Sequence, residues 1–309
     1  MEASITLKNV GKRFKENHVI SDLSFGIEKG STFTIVGRDG AGKSTLLKIL
    51  SGLTGIDGGQ VYIQGQEINK SDREFRHNLA FLPPHNIHNP WITGRQNIEK
   101  YLDYSPATER KFRKKLKQFS SLLEFDEYLD ELPEHYPKGI RRRLDLILVL
   151  IQDAPILLLD EPLKDLDYHI RGNLLDYLKE IKGEKTTVIA TDEFTEIETV
   201  TDRWIVLHKG TVRYDGDLET MVEHVDLDFT GYLEIKAEQR SQILQKLESS
   251  SMVNDIQDLG NTIQIATDSA TTFLQLIEEL GEENFCRIAG NSVNMNYLLD
   301  QLTSDEGLQ

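Results

Sequence analysis

The sequence predicts an α/β fold: a parallel sheet wound with helices, a helical subdomain set into it, and a small C-terminal α+β domain. Three stretches carry this expectation. Thr32–Val36 is a β-branched run ending at a glycine-rich turn, and the helix-forming stretch Ser44–Leu53 follows it. Pro155 opens the wholly apolar run Ile156–Leu159, the pattern of a strand buried on both faces. Beyond Val225 the pattern becomes strand, helix, strand, strand, helix, strand, the order of a ferredoxin-like appendage.

In chain order, residues 1–30 read as short strands with turns, for Ile5–Leu7 and Leu23–Ile27 alternate before Lys29-Gly30. Gly58-Gly59 turns into the strand Gln60–Ile63, and Gly65 turns again. From about Asp72 to Ile151 the signal is mostly helical, broken by Pro83-Pro84, Pro90, Pro106, Pro133 and Pro137. Thr186–Ala190 and Trp204–Leu207 complete an α/β alternation. In the C-terminal part the expected elements are strand Phe229–Ile235, helix Glu238–Leu247, strands Val253–Gln257 and Thr262–Ala266, helix Ala270–Leu280 and strand Asn284–Ile288. A last helix is expected near Met295–Leu302. The expected domains are 1–225, with the helical subdomain at about 75–150, and 226–309.

Lys and Arg number 35 against 51 Asp and Glu, a net charge of −16. Such a chain repels nucleic acid and anionic lipid, which argues against both as primary partners. The basic run Arg110–Lys117 reads as a solvated helix face. The single cysteine, Cys286, cannot close an intramolecular disulfide, which fits a reducing cytosol. The longest apolar stretches, Leu146–Ile151 and Ile156–Leu159, are too short to span a bilayer, and the N-terminus lacks a signal-peptide pattern. A membrane role would therefore come through a partner.

Gly37-Arg-Asp-Gly-Ala-Gly-Lys43-Ser44 matches the phosphate-loop pattern, and it stands between a strand and a helix as that motif requires. Glycines let backbone N–H groups turn inward around phosphates, and the helix start adds unpaired donors. Lys43 reaches the outer phosphates and the Ser44 hydroxyl ligates Mg²⁺. The candidate nucleotide-binding set is Gly37, Asp39, Gly40, Ala41, Gly42, Lys43, Ser44 and Thr45. On its own the stretch also suits a glycine turn that merely caps a helix. Its downstream partner is Asp160-Glu161-Pro162, where an acid at the end of a buried strand is costly unless it faces a cation. Asp160 is the candidate Mg²⁺ residue opposite Ser44, and Glu161 the candidate base for an attacking water.

These motifs resemble the ATP-binding subunit of an ABC transporter, with spacings that agree over roughly residues 4–220. The resemblance implies a P-loop NTPase core of the ABC ATPase type, with ATP and Mg²⁺ as ligands. Phe14 falls where the family places an adenine-stacking aromatic, although an aromatic there also suits core packing. Leu166-Asp167 matches the loop through which paired subunits communicate, and Asp202-Arg203, Gly210 and Asp215-Gly216 match the closing strands. The ending Asn296–Thr303 resembles the subclass that serves drug, peptide and polysaccharide exporters. The implied partners are transmembrane permease subunits and a second ATPase subunit, identical or different. The implied location is cytoplasmic, on the inner face of the membrane without insertion.

Three positions depart from the family pattern. The signature Leu-Ser-Gly-Gly-Gln falls on Tyr136-Pro-Lys-Gly-Ile140, so Pro137 offers neither hydroxyl nor N–H. Lys138 there either substitutes a charge for the lost donor or is simply solvated. Asp192, a candidate catalytic residue, occupies the place of the switch histidine. An ionised carboxylate about 4 Å from a phosphate charge is repelled by about 4 kcal/mol at an effective dielectric near 20. The lid glutamine falls on Pro84, with His85 beside it. The expectation is therefore a slow exporter-type ATPase paired with a different subunit, or else a subunit that binds ATP without turning it over.

Overall fold

The computed structural model describes residues 3–68, 74–100, 106–194, 196–224, 229–236, 239–260, 262–268, 270–281, 284–290 and 302–303. They form two compact units, Met1–Asp217 and Leu218–Gln309. The division falls after Asp217 rather than near Val225, because the short helix that follows clusters with the second unit.

The first unit opens with long strands β1 (Ala3–Phe14) and β2 (Asn17–Glu28), an antiparallel hairpin. Strand β3 (Thr32–Val36) leads through the glycine turn into helix α1 (Lys43–Leu50). Strands β4 (Gly58–Ile63) and β5 (Gln66–Glu67) complete an antiparallel sheet of order β2-β1-β4-β5. Strand β6 (Leu79–Leu82) lies inside the stretch expected to be helical. Its four apolar residues pair in parallel with the run at Ile156, which corrects the extent of the helical subdomain. The helices proper are α2 (Gly94–Glu99), α3 (Pro106–Leu122) and α4 (Lys138–Leu150). Strand β7 (Ile156–Asp160), helix α5 (Tyr168–Glu180), and strands β8 (Thr186–Thr191), β9 (Arg203–His208) and β10 (Thr211–Gly216) follow. The second sheet has order β10-β9-β3-β8-β7-β6, parallel except for the β9–β10 hairpin.

Every residue of β3, β7 and β8 is buried, which explains their apolar or β-branched composition, broken only by Asp160 at the end of β7. Leu46, Leu47, Ile49 and Leu50 of α1 join one core with Ile5, Leu7, Ile35, Val61, Leu158 and Ile205. Each such burial contributes roughly 1.5–3 kcal/mol. The register aligns Val36 with Thr191 and Ala190 with Asp160. The glycine turn and the ends of β7 and β8 therefore emerge at one edge of the sheet. Helix α4 is buried over most of its surface, charged residues included, so its polar groups must find partners inside the fold.

The basic run on α3 is partly ion-paired rather than only solvated: Lys111 and Lys115 both reach Asp153. Asp202 accepts from the Thr32 N–H at 2.8 Å, and Arg203 forms a fork on Asp215 at 2.6 and 2.8 Å.

The second unit contains α6 (Leu218–His224), β11 (Phe229–Ile235), α7 (Arg240–Ser249), β12 (Asp255–Asp258), β13 (Ile263–Thr267), α8 (Ala270–Leu280) and β14 (Phe285–Gly290). From β11 onward the element order is the one the sequence suggests. The four strands form an antiparallel sheet of order β12-β13-β11-β14. Its core gathers Leu233, Ile243, Leu247, Ile263, Ile265, Phe273 and Ile277. The helix expected near Met295–Leu302 lies almost wholly outside the described residues. No described helix is long and apolar enough to cross a membrane.

Candidate nucleotide site

Gly42 caps α1 at φ +109°, and a Cβ there would stand 2.8 Å from the Val19 carbonyl. Ala41 N–H closes on Arg38 O at 3.0 Å, and Gly210 N–H on Ala41 O at 3.0 Å. Lys43 is buried, and its Nζ donates to the Gly37 carbonyl at 2.6 Å. The ammonium thus occupies the hollow of its own loop, the place an outer phosphate would take. Arg38, Asp39 and Gly40 form the exposed rim, Gly37 and Ala41 are buried, and Ser44 and Thr45 are half-buried.

Asp160 ends β7 fully buried, and neither carboxylate oxygen has a hydrogen-bond partner among the described residues. Burial pushes its pKa up, opposed first by the nearby Ser44 hydroxyl and then by Lys43 and Arg142. Ser44 lies close enough to act on the carboxylate without closing a well-formed hydrogen bond. A buried acid with two free oxygens beside a hydroxyl is a hard oxygen donor set, and it suits Mg²⁺.

Glu161 follows at φ +50°, a left-handed backbone that a residue with a side chain rarely adopts. Its N–H donates to Ala190 O at 2.8 Å and its side chain accepts from the Thr191 hydroxyl at 3.1 Å. Burial and then the Asp192 charge push its carboxyl up to about 7. Asp192 itself is exposed on the turn after β8.

Arg142 ties these segments together. Its guanidinium, buried under the first turns of α4, donates to Pro83 O at 2.8 Å, Asp160 O at 2.6 Å and Glu161 O at 2.8 Å. One side chain thus fixes the ends of β6 and β7. Its neighbour Arg143 pairs with Asp167, which caps α5 through the Ile170 N–H at 3.2 Å. Asp145, also fully buried, accepts from the Ile87 and His88 N–H groups at 3.1 Å each and meets the His88 ring at 2.7 Å. The loop after β6 is pinned by these contacts, with Pro84 and His85 exposed on it.

Phe14, at the end of β1, is 49% exposed, which removes the core-packing alternative. Lys12 Nζ lies 5.2 Å from its ring centroid and bonds Asp57 at 3.1 Å, so one face of the ring is backed by a fixed cation. Sequence reasoning missed Thr191, Arg142 and the Lys12–Asp57 pair. A threonine at a strand end and one arginine among three carry no local signal, and only the tertiary fold selects them.

A phosphate loop and an unpartnered strand-end acid thus stand at one sheet edge. The ABC transporter family model matches residues 20–164. The sulfate/thiosulfate import ATP-binding protein CysA of Pseudomonas aeruginosa is 30% identical over 232 residues, 73% of this chain and 70% of that protein. The chain belongs to the ABC transporter ATP-binding family. The Fe(3+) ions import ATP-binding protein FbpC of Fusobacterium nucleatum is 32% identical over 70% of this chain, which spans 58% of that relative's length. Among solved structures, the dimeric bacterial ABC transporter cassette MJ0796 superposes with TM-score 0.64 at 26% identity, covering 69% of this chain and 98% of the cassette. The relatives bear import names, so the exporter assignment draws no support from them. It rested on the ending Asn296–Thr303, of which only Leu302 and Thr303 are described.

Proposed function

We infer that this chain is the ATPase subunit of an ABC transporter, binding Mg-ATP at Gly37–Ser44 and acting on separate membrane subunits beside a second ATPase subunit. The observation that carries this reading is the buried, unpartnered Asp160 carboxylate beside Ser44 and the phosphate loop. Phe14 offers an exposed ring for the adenine, and Lys43 exchanges the Gly37 carbonyl for an outer phosphate. Ser44 and Asp160 would hold Mg²⁺, which when bound neutralises phosphate charge. Glu161, aimed by Thr191 and Arg142, takes the proton of the attacking water. The relatives' names favour inward transport.

Turnover is slow in this reading, because Asp192 adds a charge near Glu161 and Pro137 removes a donor from the first turn of α4. Those two residues also favour a second reading, a subunit that binds ATP without hydrolysing it. Steady-state ATPase rates of the purified chain and of Glu161→Gln separate the two. The enzyme reading predicts a measurable rate that falls at least about a hundredfold in the variant. Equal background rates in both proteins favour the binder.

A further inference from the structure

Phe14 stands where the β1 backbone departs from a regular ladder. Pairing with β2 shifts register between Val10 and Lys12 and again between Lys12 and Arg13. Pairing with β4 shifts between Lys8 and Gly11. Such irregularities re-aim side chains, and here they bring the Lys12 Nζ over the Phe14 ring. The same hairpin abuts the phosphate loop. Lys12 pairs with Ile20 across it, and a Cβ on Gly42 would meet the Val19 carbonyl at 2.8 Å and the Ile20 side chain at 2.9 Å.

Asp57 clamps this strand end from the segment before β4. Its N–H donates to the Gly11 carbonyl at 2.9 Å. One carboxylate oxygen accepts from the Arg13 N–H at 2.7 Å and the other from Lys12 Nζ at 3.1 Å. These donors, the Arg13 N–H first, hold the Asp57 carboxyl below its ordinary range. The Lys12 side chain is only 10% exposed, whereas the ring it backs is open to solvent. A ring that served only to cover the ammonium would not need to stand so far out of the fold.

An aromatic face carries negative charge density, which opposes close stacking on another electron-rich face. A cation behind the ring draws that density away and restrains the ring. The open face then favours a broad, electron-rich heterocycle. The two fused rings of a purine overlap it more fully than the one ring of a pyrimidine.

We propose that the Lys12–Asp57 pair is a positioning and selectivity device: it holds and polarises Phe14 so that the phosphate loop takes purine in preference to pyrimidine nucleoside triphosphates. This rests on the nucleotide function inferred above.

The full-length chain is titrated calorimetrically with ATP, CTP and inorganic tripolyphosphate, each with Mg²⁺. The native chain binds ATP more tightly than CTP. Lys12→Met lowers ATP affinity by about three- to tenfold, narrows the ATP/CTP ratio and leaves tripolyphosphate affinity unchanged. Lys12→Arg keeps the native ratio, because a guanidinium also stacks on a ring and pairs with a carboxylate. Asp57→Asn retains an oxygen for the Arg13 N–H but frees Lys12, and its loss falls between the two. Thermal melts by circular dichroism check that each variant is folded. An equal loss for ATP and tripolyphosphate in Lys12→Met would reduce the pair to structural support and overturn the proposal. So would an unchanged ATP/CTP ratio in that variant, or a native chain that takes ATP and CTP equally. A native chain that binds none of the three ligands fails the nucleotide function itself, and the proposal falls with it.

Discussion

Asp145 and Asp160 are both fully buried, but they differ in how they are met: Asp145 has donors at one oxygen and none at Oδ2 among the described residues, while Asp160 has none at either oxygen. One Asp145 oxygen collects two backbone N–H groups and the His88 ring, and so rivets the loop after β6 to α4. Both Asp160 oxygens are without partners among the described residues. A buried acid that has donors belongs to the architecture. A buried acid without them destabilises the ligand-free fold and is retained for what it will hold. The contrast separates the rigid support of the site from its reacting face.

The largest expected effect comes from the rivet. Asp145→Ala leaves three part-buried donors unpaired, the Ile87 and His88 N–H groups and the His88 ring, and costs about 3–5 kcal/mol in chemical denaturation at roughly 1–3 kcal/mol per donor. A loss below about 1 kcal/mol would break the comparison at that end. Asp160→Asn should move in the opposite direction. Removing an unpaired buried charge raises ligand-free stability by roughly 1–3 kcal/mol, while the extra stabilisation that Mg²⁺ adds to ATP in the same denaturation curves disappears.

Asp153 is the graded control, a half-exposed acid held by lysines. Burial raises its pKa, but Lys115 and Lys185 overcome this and hold the carboxyl well below the ordinary value of 3.8. Stability from these pairs is therefore full above that value and is lost as pH falls through the depressed one. After solvent screening, Asp153→Asn costs about 0.5–1 kcal/mol at neutral pH. The difference from wild type should shrink in acid below the ordinary value, as followed by urea denaturation at a series of pH values. A gap that widens in acid would contradict the sign.

What could be read from the sequence was local chemistry. The glycine turn is contiguous, and its strand–turn–helix setting is visible in Thr32–Leu53. The unbroken apolar strand ahead of Asp160 announced a costly acid, and the same logic applied to Leu144-Asp145-Leu146 would have found the rivet. The alternation of Leu233, Ile235, Ile263 and Ile265 made the C-terminal order legible. Strand β6 was hidden because four apolar residues between a 3₁₀ turn and two prolines fit helix or strand equally. Arg142 and Thr191 were hidden because their partners lie 18 to 59 and 30 residues away in the chain. No periodicity reports such contacts.

The central claim is that Ser44 and Asp160 form the metal-holding half of the nucleotide site. Calorimetric titration of ATP, with and without Mg²⁺, into wild type and Asp160→Asn tests it most directly. The account predicts that Mg²⁺ tightens ATP binding by wild type and leaves the variant's affinity unchanged. An equal gain from Mg²⁺ in both proteins would contradict it.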